Sequence, residues 1–354
     1  MNFERTLIIK PSSMGDVVQA LPFLTALKEA HPAAHVAWLV ARPFADLLAG
    51  HPRIDEVVLF DRHRFGHVGR SLVITTEFVA FLGELRRKQF TAAIDLQGLL
   101  RSGILAFATG AADRVGFRAA RELAPLFYTD RVTVPDKEMH AVDRYMAVAA
   151  HLGFAPPRAT DHLPVPAAAR AAVRRRLAEA GLAQDEPFLA VCAHARWETK
   201  QWPPERFAAV LDRAGRDAGA RAVLVGAAAA RPLSERVAAA MAEPPIDLTG
   251  RTTLGELVAL VAEARAMLTN DSGPMHVAAA VGTPLVAIFG PTNPRRTGPY
   301  GSEHRVIAGR ADCSPCYRRH CPYAGGPRAL CCLTSVTADE VAGRLIDMWR
   351  GGGP

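Results

Sequence analysis

The sequence predicts an α/β protein with two domains of similar size, each built on an open parallel sheet. Three observations carry that expectation. Short β-rich runs such as Thr6–Lys10 and Phe188–Cys192 alternate with segments of helical apolar spacing. The alternation halts at two proline-rich pieces, Phe154-Ala155-Pro156-Pro157 and Leu163-Pro164-Val165-Pro166, and then restarts, which places a domain boundary near residue 160. The 354 residues are enough for two ordinary cores.

Composition narrows the class. Hydrophobic residues make up 49% of the chain and charged residues 22%, the balance of a soluble globular protein. No apolar run reaches membrane-spanning length, and residues 1–10 begin a strand and lack the pattern of a signal peptide. The net charge of +7, from 42 basic and 35 acidic residues, comes from arginines scattered through both halves. It favours anionic partners such as phosphates or an acidic membrane face. Aromatic residues, at 7%, are not interleaved with basic clusters, so nucleic acid is not the expected partner. Five of the six cysteines fall between 313 and 332, which is not the framework of a secreted protein of this size. A cytoplasmic enzyme is the expectation.

In chain order, Thr6–Lys10 is a short buried strand closed by Pro11, and Pro11–Asp16 is a tight loop. Val17–Ala30 carries Val17, Leu21, Leu24 and Leu27 at helical spacing. Gly15-Asp16 therefore lies at a strand-to-helix junction, at the carboxyl edge where open α/β sheets bind ligands. Asp16 has two readings: a helix N-cap, or a general base directed into a cleft. Further strands are expected at His35–Val40, Glu56–Leu59 and Ala92–Asp95, with an amphipathic helix at Glu77–Lys88. Asp95–Gly98 repeats the strand-then-glycine-loop pattern before a helix at Leu99–Ala108. Arg101 on that helix either meets an anionic acceptor or is a solvated surface residue. Arg118, Arg121 and Lys137, in or beside loops after Val115-Gly116-Phe117, carry the same two readings. Met139–Leu152 closes the first domain as a helix.

In the second half, Ala167–Ala180 reads as an arginine-rich surface helix and Phe188–Cys192 as the first strand of a new sheet. The following loop places Lys200 just past a strand's carboxyl end, where it can neutralise a phosphate. Trp197 and Trp202 flank it and argue against a fully solvated lysine. After a helix from Pro204 to Ala214, strands are expected at Arg221–Val225, Pro245–Leu248, Met267–Thr269 and Leu285–Phe289, with helices at Glu235–Ala242 and Leu254–Ala264. The most informative stretch is Leu268–Pro284. There Asn270-Asp271-Ser272-Gly273 turns from strand to helix, Pro274 fits the first helical position, and the helix Met275–Val281 stops at Gly282. Free N–H groups and the positive dipole end at that turn suit a diphosphate, although an ordinary capped turn has the same pattern. Thr337–Met348 is the closing helix, with Thr337 and Glu340 forming a capping box. Two facing sheet edges across a proline-rich hinge would form a cleft for a small molecule.

Several blocks together resemble a known family. They are Ile9–Val17 with Leu21-Pro22, Asp95–Leu99 with Ser102-Gly103, Thr199–Pro203, and Thr269–His276 with Phe289–Thr292. In this order they resemble glycosyltransferase family 9, the ADP-heptose lipopolysaccharide heptosyltransferases, from about residue 5 to about residue 347. Ser12-Ser13-Met14 and Arg121–Tyr128 look more like the first heptosyltransferase than the second. The resemblance implies the GT-B fold, two Rossmann-like doubly wound domains facing across a cleft. It assigns acceptor binding to 1–160 and nucleotide-sugar binding to 161–336, with a last helix at 337–354 packing back towards the first domain. The implied reaction is inverting transfer of L-glycero-D-manno-heptose from ADP-heptose to the Kdo–lipid A inner core. It would take place on the cytoplasmic face of the inner membrane, with transient membrane contact. Asp16 matches the family's base and Lys200 the lysine that holds the donor diphosphate. Asp271, Ser272, Gly273 and His276, with Arg196, match the donor side; Ser13, Gly15, Gln97, Arg101, Arg118 and Arg121 fall on the acceptor side. No metal cofactor is implied for transfer, since Lys200 and the helix end would replace it, in keeping with the lack of an Asp-X-Asp pair.

The sequence also departs from the family. Ala195 and Arg196 stand where some members carry a threonine pair, and alanine occupies Ala227–Ala230 where some members carry an acid. Nucleotide base preference is therefore open. Transfer to a later core position or to a protein serine is the alternative within the same chemistry. A sugar-nucleotide 2-epimerase shares the architecture, but its other motifs are not present. Finally, Cys313 and Cys316 have metal-knuckle spacing, and Cys321 and Cys331 follow. That segment, 313–332, is either a structural zinc or iron site or a set of reduced cysteines packing a loop against the second domain.

Overall fold

The computed structural model describes residues 1–136, 138–158, 163–302 and 305–351. Lys137 and the expected boundary at residue 160 lie outside them. The chain divides into two compact units, Met1–Pro164 and Val165–Pro354.

In the first unit, six strands form one parallel sheet: β1 (Arg5–Ile9), β2 (His35–Ala41), β3 (Glu56–Phe60), β4 (Ala92–Asp95), β5 (Asp113–Phe117) and β6 (Asp130–Val132). Their order is β3-β2-β1-β4-β5-β6. The winding reverses between β1 and β4, so the carboxyl ends of these two strands flank the crevice where such sheets hold ligands. Leu7, Ile8, Ile9 and Ile94 are fully buried, as strands covered on both faces require. The helices are α1 (Met14–Gln19), α2 (Leu21–Ala30), α3 (Leu72–Arg87), α4 (Leu100–Ala108) and α5 (Ala141–His151).

Two of these helices differ from expectation. The run anticipated as one helix from Val17 is two, separated at Ala20, because Pro22 in the first turn of α2 has no N–H for a continuous ladder. The first piece begins at Met14, which makes Asp16 the third helical residue and Ser13 the N-cap. Helix α3 begins at Leu72 instead of Glu77, capped by Ser71, whose Oγ accepts the Ile74 N–H at 3.4 Å.

The second unit repeats the plan. After α6 (Ala167–Glu179) come β7 (Phe188–Cys192), α7 (Pro204–Ala218), β8 (Arg221–Leu224), α8 (Arg231–Ala240), β9 (Ile246–Asp247), α9 (Leu254–Glu263), β10 (Ala266–Asn270), α10 (Gly273–Val281) and β11 (Leu285–Phe289). The chain ends with α11 (Pro294–Thr297), β12 (Val306–Ala308), α12 (Cys331–Thr334) and α13 (Ala338–Gly351). The sheet order β12-β11-β10-β7-β8-β9 reverses between β10 and β7. Helix α10 ends at Gly282 with φ 78°, the left-handed stop expected there, and Pro274 is its second residue and not its first. Helix α13 packs on α7 and buries Val341, Leu345, Ile346 and Trp349 in this unit's core, and Thr337 Oγ accepts the Glu340 N–H at 3.2 Å. Among the described residues, no helix is long and apolar enough to cross a membrane.

Candidate active site

In the first unit, the turn after β1 fixes a carboxylate. The Ser13 N–H and Oγ both donate to Asp16 Oδ2, at 2.8 and 2.7 Å. Oδ1 faces Lys10 Nζ at 3.6 Å and the Tyr145 hydroxyl, which donates to it at 3.5 Å from α5. Lys10 is 4% exposed at its side chain, donates to Leu96 O at 3.2 Å, and lies 5.2 Å from the centre of the Tyr145 ring. Burial alone would depress the lysine pKa. The Asp16 charge first, then Tyr145 and the Asp95 charge, outweigh that and raise it, so Lys10 is a cation at any ordinary pH. Asp16 itself is 39% exposed. Asp16 is thus not the N-cap, which is Ser13, but the third helical residue, whose Oδ2 ties down the first turn of α1.

The end of β4 carries a second acid, fully buried Asp95. Its Oδ1 accepts the N–H groups of Gln97 and Gly98, at 2.8 and 3.0 Å, and its Oδ2 accepts the Tyr128 hydroxyl at 2.6 Å. Burial still pushes its pKa up, against those hydrogen bonds. Gly98 adopts φ 68°, and its carbonyl accepts the Arg121 N–H at 3.1 Å, which brings the loop after β5 to this edge. Gln97 Oε1 is buried without a partner, an acceptor ready for a ligand hydroxyl. Ser13 and Gly15 therefore sit with Asp16 on the first turn of α1 and Gln97 sits beside Asp95, while the side chains of Arg101, Arg118 and Arg121 are exposed. Arg62 adds a further cation to this edge, donating to Ser12 Oγ at 3.1 Å.

In the second unit, Asn270 at the end of β10 stitches the Lys200 loop in place. Its Nδ2 donates to Ala193 O at 2.5 Å, and its Oδ1 accepts the Trp202 N–H at 3.2 Å. Trp202 is wholly buried and donates through Nε1 to Val336 O at 3.2 Å. Lys200 Nζ lies 2.6 Å from Asp271 Oδ2, with the side chains 16% and 6% exposed, and it sits over the Trp197 ring at 4.8 Å. Thr292, on the loop after β11, donates to the same Asp271 oxygen at 2.5 Å. Ser272 is the N-cap of α10, Gly273 its first residue, and His276 is buried one turn on. Burial lowers the His194 pKa and raises that of Cys192. Arg196 is exposed. An ammonium group beside the N-terminus of a nine-residue helix is an anion site made of one full charge and one partial charge.

The model of glycosyltransferase family 9 (heptosyltransferase) matches residues 78–325. The chain belongs to glycosyltransferase family 9. It is 31% identical over 323 residues to lipopolysaccharide heptosyltransferase 1 of Pseudomonas aeruginosa, covering 90% of this chain and 88% of that one. Among solved structures it is similar to a family 9 glycosyltransferase from Veillonella parvula, at TM-score 0.84 and 25% identity over 99% of this chain and 98% of that one. It is also similar to the E. coli heptosyltransferase WaaC with ADP, at TM-score 0.76 and 27% identity over 97% and 99%. The two doubly wound units are those of the GT-B fold, and the chain is a glycosyltransferase.

In this family 9 glycosyltransferase the cysteine-rich segment packs against the loop that carries Lys200. The Thr199 hydroxyl donates to Arg318 O at 2.7 Å, the Tyr317 N–H to Pro291 O at 2.8 Å, and Arg319 lies 5.4 Å from the Trp197 ring centre. All six cysteines are free. The Cys332 thiol is pushed up to about 11, by burial first and then by neighbouring Cys313, Cys331, Cys316 and Cys321. Among the described residues, no group of three or more His, Cys, Asp or Glu side chains is arranged to hold a metal ion, so the knuckle reading of Cys313, Cys316, Cys321 and Cys331 has no support here.

Sequence reasoning missed Lys10, Tyr145 and Thr292. Lys10 had a signal, a charged residue ending a run of buried aliphatics; Tyr145 had none, since 129 positions separate it from Asp16.

Proposed function

We propose that this glycosyltransferase moves heptose from ADP-heptose to the Kdo–lipid A inner core of lipopolysaccharide, inverting the anomeric centre. The carrying observation is the Asp16 carboxylate, anchored at Oδ2 by Ser13, backed by the buried Lys10 cation, and still 39% exposed. The likeness to lipopolysaccharide heptosyltransferase 1 and to WaaC with ADP supports the donor and acceptor classes.

In this reading Asp16 takes the proton of an acceptor hydroxyl as its oxygen bonds to the anomeric carbon. The bond from that carbon to the diphosphate breaks on the opposite face, and ADP leaves with the electron pair. Lys200 and the N–H groups opening α10 stabilise the leaving diphosphate without a metal, and Asp271 holds Lys200 in place. His276 and Arg196 complete the donor side. The first unit takes the acceptor through Ser13, Gly15 and Gln97, with Arg101, Arg118 and Arg121 for Kdo carboxylates and lipid phosphates. The enzyme works at the cytoplasmic face of the inner membrane.

Purified enzyme given ADP-heptose and Kdo–lipid A should yield an acceptor heavier by one heptose and an equal amount of ADP. Asp16→Asn should bind the donor normally and lose about 10²–10⁴ in turnover. Near-normal turnover would remove Asp16 as the base, and ADP release with no acceptor present would point to hydrolytic or epimerase-like chemistry.

A further inference from the structure

Apart from Glu77, which is 40% exposed and paired with Arg64, the solvent side of α3 carries no charge over its first three turns. Leu72, Val73, Thr76, Val79, Ala80 and Gly83 recur at helical spacing on one face and are all exposed, Leu72 at 88%, Val73 at 64% and Val79 at 61%. The inward face is apolar as well. Ile74, Phe78, Phe81 and Leu82 pack on the first unit's core, and Phe65 lies against Phe78 and Phe81. The core is thus closed without the outward residues, and a surface helix ordinarily places charge there. An exposed apolar patch of this kind marks an interaction surface.

What flanks the patch says what covers it. The turn before α3 continues the apolar surface with Val68 and exposes His63, Arg64, His67 and Arg70. The far end of the helix adds exposed Arg86 and Arg87. The acids are fewer and partly engaged. Glu77 is held by Arg64, whose Nη2 donates to it at 2.6 Å, and Asp61 accepts the Arg64 N–H at 2.9 Å, leaving Glu84 exposed. An apolar stripe with basic flanks is the chemistry of a helix lying in a membrane interface. A symmetric pairing of two copies through this face would set the same arginines against each other.

We propose that the outer face of α3 and the turn at 62–70 form a docking surface for an anionic lipid bilayer. Leu72, Val73 and Val79 enter the boundary between headgroups and acyl chains, and Arg70 and Arg87 meet lipid phosphates. The inference rests on the proposed lipid-borne acceptor and names the surface that brings the enzyme to it.

The test is sedimentation of the full-length protein with vesicles of phosphatidylcholine alone or mixed with phosphatidylglycerol. Binding should require the anionic lipid and weaken as salt is raised. The triple variant Leu72→Gln, Val73→Gln and Val79→Gln should keep its melting temperature, since the three side chains touch water already, and should lose roughly tenfold or more in vesicle partition. It should still transfer heptose at the parent rate to a water-soluble Kdo acceptor without acyl chains. Parent-like vesicle binding by the variant would overturn the docking surface, as would loss of transfer to the soluble acceptor. So would a parent dimer, seen by analytical ultracentrifugation, that the variant dissolves, because the face would then bind a second copy. If the parent binds anionic vesicles and the variant does not, but the parent moves no heptose to either acceptor, the proposed function fails and the docking surface stands.

Discussion

Two buried or half-buried carboxylates in the first unit show how local surroundings divide roles between like residues. Asp16 keeps a cation beside it and an open side; Asp95 is sealed, with hydrogen-bond donors around it and burial as the dominant influence on its charge. That difference has a consequence for stability. An acid whose folded pKa is raised contributes stability fully below its ordinary pKa, and loses it as pH climbs through the folded value. Asp95→Asn keeps an oxygen for the Gln97 and Gly98 N–H groups and an amide for the Tyr128 oxygen, while removing the charge. The variant is expected to gain on the parent as pH rises from about 4 to 8, because only the parent has a charge to bury. Chemical denaturation at the two pH values checks this. A variant that loses ground towards pH 8 would mean that Asp95 is ionised in the folded protein, with its hydrogen bonds outweighing burial. The sequence could not reveal this contrast, because both acids follow a buried strand and precede a helix.

Among elements, what was legible depended on how strongly each segment declared its surroundings. Strands covered on both faces, such as β7 and β11, read as unbroken apolar runs and fall where expected. Strands β5 and β6 went unseen because Asp113-Arg114 and Asp130-Arg131 interrupt the apolar signal towards the sheet's edge, and β12 was too short to register. The first turn of α3 was hidden for the opposite reason: Leu72-Val73-Ile74-Thr75 is apolar and β-branched, with no polar face to betray a helix. Glycines separate two kinds of constraint. At Gly282, after α10, φ is 78° and an added Cβ would meet nothing within 4 Å, so Gly282→Ala should cost only the backbone term, about 1 kcal/mol. At Gly116 in β5 the added carbon would lie 2.4 Å from the Tyr128 ring, the ring whose hydroxyl holds Asp95. Gly116→Ala should cost more, about 1–3 kcal/mol of overpacking. Thermal melts of the pair decide: equal losses would show that the Tyr128 ring yields freely and is not a fixed part of this edge.

At the scale of the whole molecule, one architectural plan is used twice, each time with a lysine–aspartate pair past the strand ends. Each unit reverses its winding beside its first strand, at β1–β4 and at β10–β7. In the first unit that edge holds the Asp16 carboxylate; in the second it holds the Lys200 ammonium and a helix N-terminus. The placement of Asp16 and Lys200 just past strand ends was readable from the chain, whereas the partners that fix each group, Tyr145 for Asp16 and Thr292 for Asp271, became visible only in three dimensions. The division predicts where a nucleotide acts. ADP added to the full-length enzyme should slow amide exchange at 193–203, 270–276 and 290–292, and leave 10–16 unchanged. Lys200→Ala should erase most of that protection and raise the donor KM while lowering kcat, because in the proposed mechanism the same charge holds the ground-state diphosphate and the departing one. The ion pair with Asp271 sharpens the test: removing the ammonium leaves a 6%-exposed carboxylate with Thr292 as partner beside the diphosphate, so repulsion adds to lost attraction. Protection by ADP that appears first at 10–16, or survives Lys200→Ala intact, would place the nucleotide in the wrong unit for this mechanism.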